Sequence, residues 1–263
     1  MLWKFRESLG KLQDANFLTV NAIDSLIVDQ TKYESGSQAS MFRPIADAIV
    51  HALQTELLIP RVGSGHVSEN GARLARAENL RRLISADQLK QITEANEAVE
   101  WVSGDITRER TTRLRNFLVN TIGIEEIDGE GFVRKVTEEF LKCQIDDWVR
   151  EFYEFLLDQQ AIRRQFWFNT KPIIRLSTGK HVVPKVDGKP NAYLPSKDRT
   201  EFPTVKDAVC SSEGSLKLLK DLGLKEPDPI DGVIHNILPR YSEQATEFPA
   251  EFDSDIDRIM WRC

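Results

Sequence analysis

Arginine is the residue whose type and spacing come nearest to chemistry in this chain. Arg73, Arg76, Arg81 and Arg82 fall in one short stretch, and Arg108, Arg110, Arg113 and Arg115 in another. A guanidinium offers a planar fork of donors that matches phosphate or carboxylate oxygens. Two such clusters, with Arg163-Arg164 beside the aromatics Phe166, Trp167 and Phe168, would suit a phosphate backbone or an acidic partner. The same residues interleave with Glu78 and Glu109, and acids three or four residues from arginines also make a solvated helix face laced with ion pairs. The sequence leaves both uses open and leans toward the second, so nucleic-acid contact is the weaker reading.

Other groupings fall short of the chemistry they suggest. Ser177-Thr178-Gly179-Lys180 resembles the end of a phosphate-binding loop, but Ile174 stands where a glycine is needed and His181 where a Ser or Thr would hold magnesium. A hairpin turn is the better reading. His66 and His181 occupy matching places in two similar stretches, with no HxH, HxxxH or CxxC spacing nearby, and read as half-buried strand histidines bonding a loop carbonyl. His51 and His235 read as helix-surface residues. Asp253, Asp255 and Asp257 lack the following glycine and glutamate of a calcium loop. Asp228 has no Glu-x-Lys after it, which argues against a nuclease centre. No catalytic residue, cofactor or metal ligand is expected.

The composition is that of an ordinary folded protein: 263 residues, 41% hydrophobic, 29% charged, net charge −6. A net negative chain gains no general pull toward nucleic acid or anionic lipid. Cys143, Cys210 and Cys263 are few and odd in number, which fits a reducing compartment. Without a long apolar run or a secretory leader the expected location is the cytoplasm and no membrane is engaged.

The elements that must carry these residues read as α+β, mostly helical. Met41–Leu57 has one apolar helix face, with Pro44 in its first turn. Leu57–Leu74 reads as a hairpin turning at Gly63–Gly65 and returning through His66-Val67. Helical spacing runs over Ala77–Ile92, with a break near Ser85-Ala86-Asp87, and again from an N-cap at Thr107 to a left-handed stop at Gly123. Helices follow from Gly131 and over Asp146–Ile162, the second bearing Trp148, Phe152 and Phe155. From Lys171 the hairpin pattern recurs. A helix ends at Gly223, and Asp228-Pro229 would start another carrying Ile230, Val233, Ile234 and Ile237.

Two passages echo each other. Leu118–Asp128 (LVNTIGIEEID) matches Leu218–Asp228 (LLKDLGLKEPD), and Gly65-His66-Val67 with Ala72-Arg73-Leu74 matches Gly179-Lys180-His181-Val182 with Ala192-Tyr193-Leu194. Recurrence at long spacing points to two related units, each a β-hairpin followed by packed helices. The expected division is an N-terminal helical segment over 1–56, a first unit over 57–165, a second over 166–241 and an acidic, aromatic tail over 242–263.

The stretch WVSGDITRERTTRLRNFLVNTIGIEEIDGEGFVRKVTEEFLKCQIDDWVREFYEFLLDQ, with KPIIRLSTGKHVVP, KPNAYLP and the run from Phe202 to Tyr241, resembles a region of large bacterial sacsin-like proteins. Those are multidomain ATPases whose nucleotide-binding head belongs to the gyrase, heat-shock-chaperone and histidine-kinase superfamily. The family's Asp-x-Gly-x-Gly loop and magnesium-holding Glu and Asn are missing here, so no ATP-site residue carries over. The resemblance implies a part downstream of the head, opening at Met1 as a fragment or truncated gene, with chaperone-like or phage-defence roles. The expected partners are an ATP-binding domain in cis or trans and a protein client. On this reading the chain is a non-enzymatic coupling or interaction module. The alternatives are a nucleic-acid-binding module using the Arg73–Arg82 and Arg108–Arg115 surfaces, and a hydrolase with an unrecognised site.

Overall fold

Arg43–Thr55 is helical because its apolar residues return every three or four positions, and Pro44 costs no hydrogen bond in the first turn. This helix, α2, buries Ala46, Ile49, Val50, Ala52 and Leu53. It belongs to a computed structural model that describes residues 40–196 and 202–227, a short helix α1 (Val20–Ser25) with Thr19 and Ile27 beside it, and single positions at Glu7, Tyr241, Phe252, Asp253, Asp255, Ile256 and Met260. The expected helix after Asp228 lies outside the described residues, as do Asp257, His235, Cys263 and most of the tail. The chain forms two compact units, Met1–Lys135 and Val136–Cys263. No helix among the described residues is long and apolar enough to cross a membrane.

In the first unit β1 (Ile59–Pro60) and β2 (His66–Val67) pair antiparallel, Ile59 opposite Val67 and Pro60 opposite His66. Positive φ at Gly63 and Gly65 lets the turn close. The hairpin ends there. β3 (Ala72–Ala75), expected as its continuation, is instead the middle of a parallel three-stranded sheet with β4 (Glu100–Trp101) and β5 (Glu125–Ile127) on either side. Parallel neighbours need crossovers. One is made by α3 (Glu78–Leu83) and α4 (Ala86–Thr93), the other by α5 (Thr112–Phe117), which loosens into a π turn over Leu118–Ile122. The break between α3 and α4 falls at Ser85, whose side chain forms a capping box with Gln88. Helix α5 begins at Thr112 rather than after Thr107, because Thr107 is spent on a turn in which its hydroxyl accepts from Arg110 N. Asp128 caps α6 (Gly129–Lys135) through Gly131 N at 2.8 Å.

The second unit opens with α7 (Glu138–Lys142), capped by Thr137, and α8 (Asp146–Asp158), followed by the single turn α9 (Gln160–Arg163). Trp148 stacks on Phe152 at 5.3 Å and meets Phe140 of α7 edge-on at 5.4 Å. Strands β6 (Ile174–Arg175) and β7 (His181–Val182) form its hairpin, and Ser177–Lys180 is the connecting turn, with Gly179 at φ 83°. β8 (Lys185–Val186) and β9 (Lys189–Pro190) make a smaller hairpin before α10 (Glu213–Asp221).

Five backbone bonds of the first unit have counterparts in the second along this course. Arg61 N donates to Gly65 O, and Leu176 N to Lys180 O. Val62 N bonds Trp101 O as Ser177 N bonds Thr204 O, and Ser103 N bonds Pro60 O as Lys206 N bonds Arg175 O. Val102 N bonds Arg73 O as Val205 N bonds Tyr193 O, and Ile106 N bonds Ser103 O as Val209 N bonds Lys206 O. The leading helices agree as well. Both are 13 residues long, and the buried set Ala46, Ile49, Val50, Ala52 and Leu53 recurs as Val149, Phe152, Tyr153, Phe155 and Leu156. At the far end α5 and α10 stop at Gly123 and Gly223, with φ of 102° and 92°.

At neither glycine would a methyl group meet anything closer than ordinary contact, with Glu69 Oε1 at 3.4 Å and Lys185 Cε at 3.5 Å. Any loss on substitution is therefore backbone strain. Gly123→Ala and Gly223→Ala are each expected to lower stability by about 1–2 kcal/mol, measured by urea unfolding.

Candidate functional site

The arginine clusters lie in the first unit, around the sheet β4-β3-β5. Arg115 sits on α5 and is almost wholly buried, at 4% exposure. Its Nη1 donates to Ile106 O at 3.1 Å, its Nη2 to Ala75 O at 3.0 Å, and its Nε to Glu126 Oε1 at 3.2 Å; Nη2 also bonds the same carboxylate oxygen. Arg115 thereby ties α5, the end of β3 and the middle of β5 together. Arg108 Nη2 holds the other oxygen of Glu126 at 3.0 Å from the more exposed side.

Glu126 feels opposing influences. Burial raises its pKa, but the hydrogen bond and charge of Arg115, joined by Arg108, outweigh it and hold the carboxyl below its usual value. A buried guanidinium with every contact to an acceptor is a lock, not a free hand for a ligand.

Most of the remaining arginines are paired as well, at more exposed positions. Arg73 Nε pairs with Glu125 Oε2 at 3.1 Å while its Nη1 donates to Asn70 O and Ala72 O. Arg76 pairs with Asp128 at 3.0 Å, and Arg82 with Glu78 one turn earlier on α3 at 2.6 Å. Arg113 reaches Ile27 O at 3.4 Å. Arg81 lies against Gly104, where an added methyl group would fall 2.6 Å from its Nη2. Arg110 is exposed. Among the described residues, no hydrogen-bond acceptor or acid engages the guanidinium of Arg81 or Arg110.

The second unit has its own polar cluster at the foot of its hairpin. Arg175 Nε lies 3.2 Å from Asp146 Oδ1, its Nη1 donates to Gln144 O at 2.7 Å, and Lys206 Nζ takes the other oxygen of Asp146 at 2.6 Å. Tyr153, fully buried on α8, donates to Ile173 O and accepts from Arg175 N, both at 2.9 Å. Burial pushes its phenol far above the ordinary range, against the lowering effect of that backbone bond. Cys210 is likewise pushed up to about 12 by burial and the charge of Asp207, so it is no nucleophile at neutral pH.

His181 departs from the expected strand histidine. It is buried rather than half-buried, and among the described residues neither ring nitrogen has a hydrogen-bond partner. His66 is half-exposed, as expected, and His51 is exposed on α2. Asp255 is buried and accepts from Tyr241 at 3.0 Å, while Asp253 is exposed. Among the described residues no group of three or more His, Cys, Asp or Glu is placed to hold a metal ion. A polar hollow of about 470 Å³ in the second unit is lined by Gln159, Gln160, Arg163, Lys217, Asp158 and Asp221 among others. Arg163 is already paired with Asp221 at 3.2 Å and bonded to Leu157 O there.

The fold defines a mostly helical α+β protein with small sheets. Comparison with known proteins adds nothing to that: no family model, curated protein or solved structure matches the chain.

Removing Arg115 would take the guanidinium donor from the carbonyls of Ala75 and Ile106 and leave Glu126 with Arg108, on its more exposed side, as the remaining guanidinium among the described residues. Arg115→Ala is expected to cost about 3–5 kcal/mol, whereas Arg108→Ala, on the exposed side of the same carboxylate, should cost less than about 1 kcal/mol. Because the folded pKa of Glu126 is lowered, the stability from this pair is complete above the normal carboxylate range. It is lost as pH falls through the lowered folded value. Urea unfolding of Arg115→Ala and wild type between pH 7 and pH 3 should show the difference shrinking toward the acid end.

Proposed function

We propose that the chain is a non-catalytic coupling or interaction module, built from two copies of one structural unit, of a sacsin-like multidomain ATPase. The observation that carries the duplicated-module part of this reading is the correspondence of backbone bonds between the two units. Five pairs of hydrogen bonds and one pair of 13-residue helices recur in the same order. A unit used twice for its frame, with Arg115 buried as an internal lock and most other clustered arginines paired with acids nearer the surface, suits relay or presentation better than bond-making. The sacsin-like part rests on the sequence stretches quoted above, and the partner it implies is an ATP-binding head in cis or trans.

In such a module an arginine reaching a nucleotide's terminal phosphate would have to be one not committed elsewhere. Arg81 and Arg110 meet that condition, and Arg113, with one long bond to a carbonyl, comes next. The same residues are what a nucleic-acid-binding module would have left to use. The internal pairing of Arg73, Arg76, Arg82, Arg108 and Arg115 leaves that alternative a small basic surface on an acidic chain.

Calorimetric titration of the chain with Mg-ATP is expected to show no binding, and adding the chain to the ATP-binding head of a sacsin-like protein is expected to change the head's turnover. Alanine at both Arg81 and Arg110 should remove most of that change without altering the chain's stability. Nucleotide bound by the chain alone, or unchanged turnover with the wild-type chain, would count against the reading. A mobility shift of single-stranded nucleic acid at about 50 mM salt that weakens as salt rises would favour the alternative.

A further inference from the structure

His181 is 5% exposed, and both its ring nitrogens lack a hydrogen-bond partner among the described residues. The register of the second hairpin sets it directly opposite Arg175, whose guanidinium is fixed by Asp146 and the carbonyl of Gln144. Helix α7 packs against β7. From α7, Lys142 and Glu138 face the imidazole, already paired with each other at 2.8 Å, and Lys180 precedes it in the turn. The charges that act on the neutral ring are two cations, Arg175 and Lys142, and one acid, Glu138; each cation has its own acid partner, Asp146 for Arg175 and Glu138 for Lys142.

We propose that His181 is an acid-sensitive catch on the β6–β7 hairpin: neutral, it lets the hairpin pack against α7, and protonation releases it. An imidazolium has two N–H donors and no acceptor capacity. In this place it would carry a buried charge with neither donor satisfied, opposite a guanidinium held by Asp146 and the carbonyl of Gln144. Burial first, and then the charge of Arg175, push the imidazole down to about 4, with Lys142 adding to the effect and Glu138 opposing it.

The folded hairpin therefore binds fewer protons than the open one. Its stability is complete above the ordinary imidazole value of 6.5 and drains away as pH falls toward about 4. Between pH 7.5 and pH 5 the ratio of closed to open hairpin should fall on the order of thirtyfold. The first unit supplies an internal control, because there His66 is half-exposed and stands opposite Pro60, with no guanidinium at that position.

Hydrogen exchange of the full chain, read by mass spectrometry and corrected for intrinsic rates, tests this. The segment 174–182 should open roughly thirtyfold more readily at pH 5 than at pH 7.5, while 59–67 changes little. His181→Phe should abolish the pH dependence at 174–182, and His66→Phe should leave it intact. Proton NMR titration of the wild-type chain should find His181 resisting protonation well below the ordinary imidazole value of 6.5. A His181 that titrates near 6.5, or a His181→Phe chain with undiminished pH dependence, overturns the proposal. Should His181→Phe fail to fold, the wild-type titration decides alone.

Discussion

Strands of two residues do not hold themselves together, and a lone hairpin is marginal in water. Each unit depends on one short extended segment that bonds on both sides at once. In the first unit it runs through Trp101, giving Trp101 O to Val62 N and taking Pro60 O at Ser103 N on the hairpin side, while Val102 N takes Arg73 O on the other. In the second it runs through Thr204 and does the same with Ser177, Arg175 and Tyr193. Without that segment the hairpin and the strand after it would share no backbone bond, and the helices would have two fragments to cover instead of one sheet. Trp101 reinforces the arrangement, since its indole is buried and donates to Ile84 O at 2.7 Å, pinning the link between α3 and α4 over the strand.

Given that frame, the buried polar groups differ between the units yet solve the same problem. Backbone bonds set the path of the chain without regard to side chain, so a junction can be closed by whichever residues happen to reach it. The first unit closes the junction of α5 with its sheet by Arg115 and Glu126, and the position corresponding to Arg115 in the second unit is Ser215, itself buried. The second unit instead closes the junction of α8 with its hairpin, through Tyr153 and the Arg175–Asp146–Lys206 group. The first unit has Val50 and Pro60 at the places of Tyr153 and Arg175, and needs no charge there. Each lock brings a desolvation penalty that the pairing of its charges offsets.

This pattern also explains which parts of the structure could be read in the residues. The hairpin turns at Gly63–Gly65 and Gly179, the stops at Gly123 and Gly223 and the Ser85 break were legible, because each rests on a local requirement such as positive φ or an N-cap. The helix faces were legible from their spacing. The central segment was not, since two or three residues are too few for a period, and its partners lie far off in the chain. The parallel pairing of β3 with β4 and β5 was hidden for the same reason. The full extent of the correspondence between units was missed because insertions interrupt it: α3 and α4 fall between matching strands in the first unit, and α9 falls between helix and hairpin in the second. No single displacement aligns the two. The arginines were conspicuous in the sequence, but spacing along the chain does not reveal that Arg115 turns inward while Arg110 stays outside.

Correspondence of frame is not correspondence of role. Where the two units agree, they agree in backbone bonds, in the burial of one helix face and in a left-handed glycine, all features that fix shape. Where they differ, they differ in side chains that could carry function: Pro60 against Arg175, Ser103 against Lys206, Ile45 exposed against Trp148 buried under Phe140. Units that share a frame need not share a surface, so one can hold the shape while the other takes on charge. The imidazole shared by both hairpins shows the consequence. Its setting, decided by the residue across from it and by the helix beside it, makes it a solvent-touched strand residue in one unit and a buried, unpartnered base in the other.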